Sequence, residues 1–155
     1  MRRPVGTAWV AESALAAMAA EAERTYPLET GGVLLGYWAM AHSEVVVTDV
    51  VGPGLRAVHE PTRFVPDRDY QDAEIARLHV ADPARYGYLG DWHSHPRGGA
   101  GLSAKDQEAL RQIARHQAAR APVPLMAILT LSGEWRVAAW CLRPGPFWLR
   151  ATGNR

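Results

Sequence analysis

Six residues have types and spacings that could do chemistry together. His93-Ser94-His95-Pro96 is followed by Ser103 and Asp106, a pattern written H-x-H-P-x6-S-x2-D. Two imidazoles and one carboxylate within fourteen positions are the ligand types of a metal site that keeps one position open for water. A second carboxylate, Glu29, lies far upstream in Glu29-Thr30-Gly31-Gly32. It adds the acid–base group that activating a water requires.

The elements around these residues must bring them together. Tyr86 to His95 reads as a strand running into a Pro/Gly loop. Side chains alternate along a strand, so His93 and His95 face one side and Trp92 and Ser94 the other. Pro96 ends the ladder because it has no N–H to donate. Arg97 to Leu102 reads as a flexible, turn-rich connection to a helix beginning near Ser103. Asp106, in the first turn of that helix, can lean back to the two imidazoles. Ser103-x-x-Asp106 is equally the pattern of a helix N-cap with a capping-box acid. The two readings are compatible, but capping alone leaves the paired histidines unexplained. Asp91 shares strand parity with the histidines. It is either a second layer orienting an imidazole or a strand-edge acid without a role.

This constellation resembles the JAMM (MPN+) metalloproteases, a zinc-dependent family of the JAB domain. Their signature joins an upstream glutamate to H-x-H-P-x6-S-x2-D. Glu29 to Gly36 (Glu-Thr-Gly-Gly-Val-Leu-Leu-Gly) is also similar to the start of that family's first core strand. The resemblance spans about residues 9 to 141, and the short chain is like the stand-alone prokaryotic branch. It implies one Zn2+ per chain, held by His93, His95 and Asp106. Glu29 would act as general acid and base, and the Ser103 hydroxyl would donate to the oxyanion. It further implies an α/β domain with a mixed sheet flanked by helices, of cytidine-deaminase-like architecture. Relatives trim ubiquitin-like proteins or release them from targets, often beside ubiquitin-activating-like enzymes and including in anti-phage operons. The implied activity is isopeptidase-type hydrolysis after the C-terminal tail of a ubiquitin-like protein, by deconjugation or precursor processing.

Composition is consistent with that expectation. A chain of 155 residues with 48% hydrophobic content fits one domain, residues 1–155, with a core over about 9–142. A net charge of +1 gives no pull toward nucleic acid or an anionic membrane. No apolar run is long enough for a bilayer, and no h-region follows Arg2 and Arg3. The single cysteine, Cys141, excludes an internal disulfide. It lies in an apolar run and reads as a buried thiol, consistent with a cytoplasmic protein. Lys105 is the sole lysine. An arginine-favouring GC-rich genome accounts for that, with avoidance of self-modification as the sharper alternative.

The remaining chain alternates helix and strand. Ala11 to Arg24 reads as a helix; Gly32 to Met40 and Glu44 to Val51 read as a strand pair. Thr62 to Val65 is a short strand, and Pro66-Asp67 opens a helix ending near Asp82-Pro83. Ser103 to Ala119 is a third helix, and Leu125 to Leu131 with Trp135 to Leu142 forms a hairpin. The segment from Arg143 is an added edge strand or a loose end. Trp38 and Trp92 read as core. Gly54 to Tyr70 and Arg97 to Leu102 are candidates to line a substrate groove. Arg56, Arg63 and Arg68 either meet acidic groups of a partner or are simply solvated.

Rival readings differ in what they require. A non-catalytic scaffold of the same fold would have lost ligands, and all are present here. A zinc peptidase acting on a sulfur-carrier protein or a small peptide would share the same site. A nucleobase deaminase needs P-C-x-x-C, which one cysteine cannot supply. The H-E-x-x-H protease motif is absent. A DNA-repair-associated family shares a similar histidine motif, but the near-neutral charge gives DNA binding no support.

Overall fold

The computed structural model describes residues 6–39, 43–142 and 146–152. Its element order is β1 (Thr7–Ala11), α1 (Glu12–Thr25), β2 (Gly31–Ala39), β3 (Glu44–Val51), β4 (Val58–His59), β5 (Phe64–Val65), α2 (Arg68–Ala81), β6 (Gly87–His95), α3 (Ala104–Arg115), β7 (Leu125–Ser132), β8 (Glu134–Cys141) and β9 (Trp148–Thr152). Seven strands form one mixed sheet in the order β8-β7-β6-β2-β3-β1-β9, and β4 and β5 pair separately. The architecture is therefore α/β with a mixed sheet flanked by three helices, as expected.

Alternation along the strands sorts side chains onto two faces. On one face Leu34, Val45, Val47, Trp92, Leu125, Ala127 and Leu129 pack against Ala14, Met18 and Ala22 of α1. The spacing of those three residues, one every four, lays a single apolar stripe on the sheet. On the opposite face Val33, Leu35 and Val51 meet Ile75 and Leu78 of α2. Beside them Met126 and Ile128 meet Leu110 and Ala109 of α3. His93 and His95 belong to this second face, between α2 and α3. Trp92 and Ser94 are buried on the first, Trp92 donating its indole N–H to the Val51 carbonyl at 3.2 Å.

β6 and β7 pair in parallel with α3 as their crossover, which places the start of α3 beside the end of β6. β2 pairs antiparallel with β6, Gly31 opposite His93. Both neighbouring strands approach closely there: a Cβ on Gly31 would lie 2.4 Å from the Trp92 carbonyl of β6, and one on Gly32 1.9 Å from the Val51 carbonyl of β3. Glycines are thus needed where the segment after Glu29 enters the sheet.

Several boundaries differ from the sequence expectation. β1 was not foreseen; it is five residues long and gains its place by parallel pairing with β3 and β9. Of the two readings offered for the segment from Arg143, the edge strand holds for Trp148–Thr152, β9, while residues 143–145 and 153–155 lie outside the described residues. The third helix stops at Arg115, and Gln117–Ala119 forms a separate 3-10 turn. The end of the first hairpin strand expected at Met40 lies outside the described residues.

Candidate metal centre

The site is built from the end of β6, the start of α3 and the link before β2. His93 Nε2 and His95 Nε2 lie 2.8 Å apart. Asp106 Oδ1 is 3.0 Å from His93 Nε2, and Oδ2 is 3.6 Å from His95 Nε2. One ligand atom from each residue falls within 4.8 Å of the others. The strand spacing and the helix placement read from the sequence therefore bring all three together.

Local bonds fix how these groups point. His95 Nδ1 lies 2.9 Å from the Gly99 carbonyl, which can only accept, so this nitrogen carries the proton and Nε2 keeps its lone pair. The loop from Arg97 to Leu102 is turn-rich, as expected, and is hydrogen-bonded to its surroundings. Gly98 N–H donates to the His95 carbonyl at 3.2 Å, and the Trp140 indole donates to the Ala100 carbonyl at 2.7 Å.

Asp106 is held by a complete capping box. Ser103 Oγ accepts from the Asp106 N–H at 3.1 Å, and Asp106 Oδ2 accepts from the Ser103 N–H at 2.8 Å. Burial alone would raise the Asp106 pKa. The hydrogen bond and charge of His93, with the bonds from Ser103, override it and hold the carboxyl well below the usual range. Ser103 itself is exposed, and its hydroxyl proton is not consumed by the cap. Two imidazole nitrogens and a carboxylate oxygen converging within 4.8 Å of one another are a donor set that could hold a cation.

Glu29 lies outside any regular element, in the link between α1 and β2. Buried Ser94 positions that link: its Oγ accepts from the Thr30 N–H at 3.0 Å, and its N–H donates to the Thr30 carbonyl at 2.9 Å. Glu29 borders the same cavity, about 820 Å³, as His93, Lys105 and Asp106. Burial pushes its carboxyl above the ordinary glutamate range, and His93, His95 and Lys105 pull it part of the way back. The two carboxyls are thus driven apart, Asp106 held down and Glu29 pushed up, the pattern of paired carboxyls whose environments differ.

The cavity continues along β6 past Asp91 and Tyr88, under Arg68, Gln71 and Ile75 of α2. Asp91 is on a central strand, not an edge. It accepts from the Tyr88 hydroxyl at 2.8 Å and makes no hydrogen bond to an imidazole among the described contacts. Burial pushes the Asp91 carboxyl up, opposed by Tyr88, Arg68 and His93. Of the expected groove segments, Phe64, Pro66 and Arg68 border the cavity and no residue from Arg97 to Leu102 does. Arg56 pairs with Asp67 and Asp69, and Arg63 with Glu60.

The sequence reading missed Ser94, assigned only to the opposite face, and Gly99, whose contribution is a main-chain carbonyl. It also missed His59, whose Nδ1 donates to the Glu29 carbonyl at 2.9 Å. Ser94 carried a usable signal, since its alternation with the histidines places it against β2.

Fold and site together define an α/β domain with a cluster of three side chains that could hold a metal ion. The chain belongs to the prokaryotic homologs of the JAB domain, the family whose model matches residues 11–142. A curated relative, the "Probable metalloprotease y4qB" of Sinorhizobium fredii, is 39% identical over 134 residues, covering 85% of this chain and 81% of that protein. The solution structure of protein DSY2949 from Desulfitobacterium hafniense superimposes with a TM-score of 0.70 at 18% identity, covering 95% of this chain and 94% of that one. At that identity the likeness concerns the fold. No helix among the described residues is long and apolar enough to cross a membrane.

Proposed function

We propose that this chain is a zinc-dependent metalloprotease of the JAMM type, an isopeptidase that hydrolyses the bond after the C-terminal tail of a ubiquitin-like protein. The observation that carries the reading is the convergence of His93, His95 and Asp106, with His93 and Asp106 bordering the same cavity as Glu29. The curated relative's description as a probable metalloprotease supports it.

His93 Nε2, His95 Nε2 and an Asp106 carboxylate oxygen would hold the ion, and two nitrogens with one oxygen suit zinc. When bound, zinc polarises the scissile carbonyl and lowers the pKa of a water toward ~7. Glu29 takes the water's proton and delivers it to the leaving amine. Burial, which raises its pKa, favours its holding the proton between the two transfers. The Ser103 hydroxyl, its proton left over by the cap, donates to the oxyanion of the tetrahedral carbon. β5 pairs only with β4 among the described residues, and its Phe64 borders the cavity. Its second edge can accept an extended tail by strand addition.

The test is mass spectrometry of a ubiquitin-like protein bearing a C-terminal extension, incubated with the native chain and with Glu29→Gln. Cleavage after the tail by the native chain alone supports the reading. No cleavage with zinc bound turns it toward a sulfur-carrier protein as substrate or a scaffold.

A further inference from the structure

Glu29 lies where no sheet or helix bonds its backbone, yet both its main-chain groups are held from one place. Its N–H donates to the Glu60 carbonyl at 2.9 Å, and its carbonyl accepts from His59 Nδ1 at 2.9 Å. His59 and Glu60 are consecutive residues at the end of β4, about thirty positions downstream. The hairpin they belong to is itself closed, the Glu60 N–H donating to the Arg63 carbonyl at 2.8 Å. His59 is paired across the hairpin with Phe64, and the two rings stack at 5.7 Å and 25°. Phe64 in turn lies against the entry of β2: a Cβ on Gly31 would meet its ring edge at 2.9 Å.

We propose that His59 is a positioning residue for Glu29, and that the β4–β5 hairpin is the clamp through which it acts. The inference rests on the role given to Glu29 in the proposed function. With the next residue, Thr30, fixed to Ser94 through both its N–H and its carbonyl, the peptides on either side of the Glu29 Cα are immobilised. The carboxyl then has only its side-chain torsions left. A base held in that way keeps its proton-transfer geometry without reordering at each turnover, and misplacement by about 1 Å costs about 100-fold in rate. His59 supplies two separable things: an N–H for the Glu29 carbonyl and a ring face for Phe64. The N–H is the one that acts on Glu29.

Two substitutions separate them. His59→Phe keeps a ring on Phe64 and removes the donor. His59→Asn removes the ring and keeps an N–H at a reach close to that of Nδ1. With the extended ubiquitin-like protein as probe, His59→Phe is expected to lose about 10- to 100-fold in kcat at unchanged KM and zinc content. His59→Asn is expected to recover most of that loss. Hydrogen exchange of the Glu29 amide gives a readout independent of turnover. It should speed up at least tenfold in His59→Phe and stay near native in His59→Asn. Native kcat in His59→Phe, or equal losses in both variants, would overturn the proposal, as would unchanged Glu29 exchange in His59→Phe. If the native chain does not cleave the probe, the functional reading fails, while the exchange data still decide whether His59 holds Glu29.

Discussion

Ser103→Ala separates the two roles that one hydroxyl holds. The lone pair of Ser103 Oγ caps α3 through the Asp106 N–H at 3.1 Å, and the O–H proton remains for the oxyanion. Removing the cap costs about 1 kcal/mol, which is a fall of about 2–4 °C in Tm for a chain of this size. Set against a typical stability of about 5–15 kcal/mol, that loss leaves about 99% or more of the protein folded. Asp106 keeps its bond from the Ser103 main-chain N–H at 2.8 Å, which the substitution does not touch, so saturating zinc should still load the site. Losing an oxyanion donor costs about 100- to 1000-fold in kcat. Stability therefore cannot explain such a fall. Ser103→Gly sharpens the contrast, since glycine at an N-cap costs only a few tenths of a kcal/mol yet lacks the same hydroxyl. The assay is steady-state cleavage of the extended ubiquitin-like protein at saturating zinc, with metal content and Tm measured on the same samples. Turnover within a few-fold of native in both variants would reduce Ser103 to a cap, and a loss that follows zinc content would refute the division of roles.

Other outcomes follow from single features of the site. Glu29 has a folded-state pKa raised by burial, so its contribution to stability is complete below its unfolded pKa and is lost as pH rises through the folded value. Metal-free Glu29→Gln, which never ionises, should melt above the native chain at neutral pH and converge with it below about pH 4; equal melting at both pH values would contradict this. Zinc at about 100 times its Kd should stabilise the native chain by about 2.7 kcal/mol and leave His95→Ala unmoved in a thermal melt. Gly32→Ala puts a Cβ 1.9 Å from the Val51 carbonyl and 2.6 Å from the Trp92 indole nitrogen, and should cost about 1–3 kcal/mol. Gly52→Ala, with nothing within 4 Å, should stay within about 0.5 kcal/mol in the same denaturant titration.

What could be read in the sequence was whatever rests on local periodicity. The alternation Trp92-His93-Ser94-His95 fixes which side chains share a face, and β6 obeys it. Asp67 and Ser103 mark helix starts because a side-chain acceptor satisfies orphan N–H groups, and both do so, Asp67 toward Tyr70 and Ser103 toward Asp106. Pairing between distant segments left no such trace. β1 and β4 are short and take their form from partners far along the chain, β3 and β9 for the first and β5 for the second. His59 was invisible for the same reason: its contact with Glu29 exists only once the hairpin has folded back. The clustering of His93, His95 and Asp106 was legible because one strand, one loop and one helix turn hold them within a short stretch. The hydrogen bonds of the Arg97–Leu102 loop were not, because they fall on main-chain groups, to which no residue type is a clue.

The central claim is that His93, His95 and Asp106 form one zinc site. X-ray absorption at the zinc edge, on protein loaded with one equivalent of zinc, tests it most directly. The account predicts four nitrogen or oxygen neighbours at about 2.0–2.2 Å, two with the outer-shell signature of imidazole, and loss of one imidazole in His95→Ala. A sulfur neighbour, six oxygen neighbours, or a native spectrum from His95→Ala would contradict it.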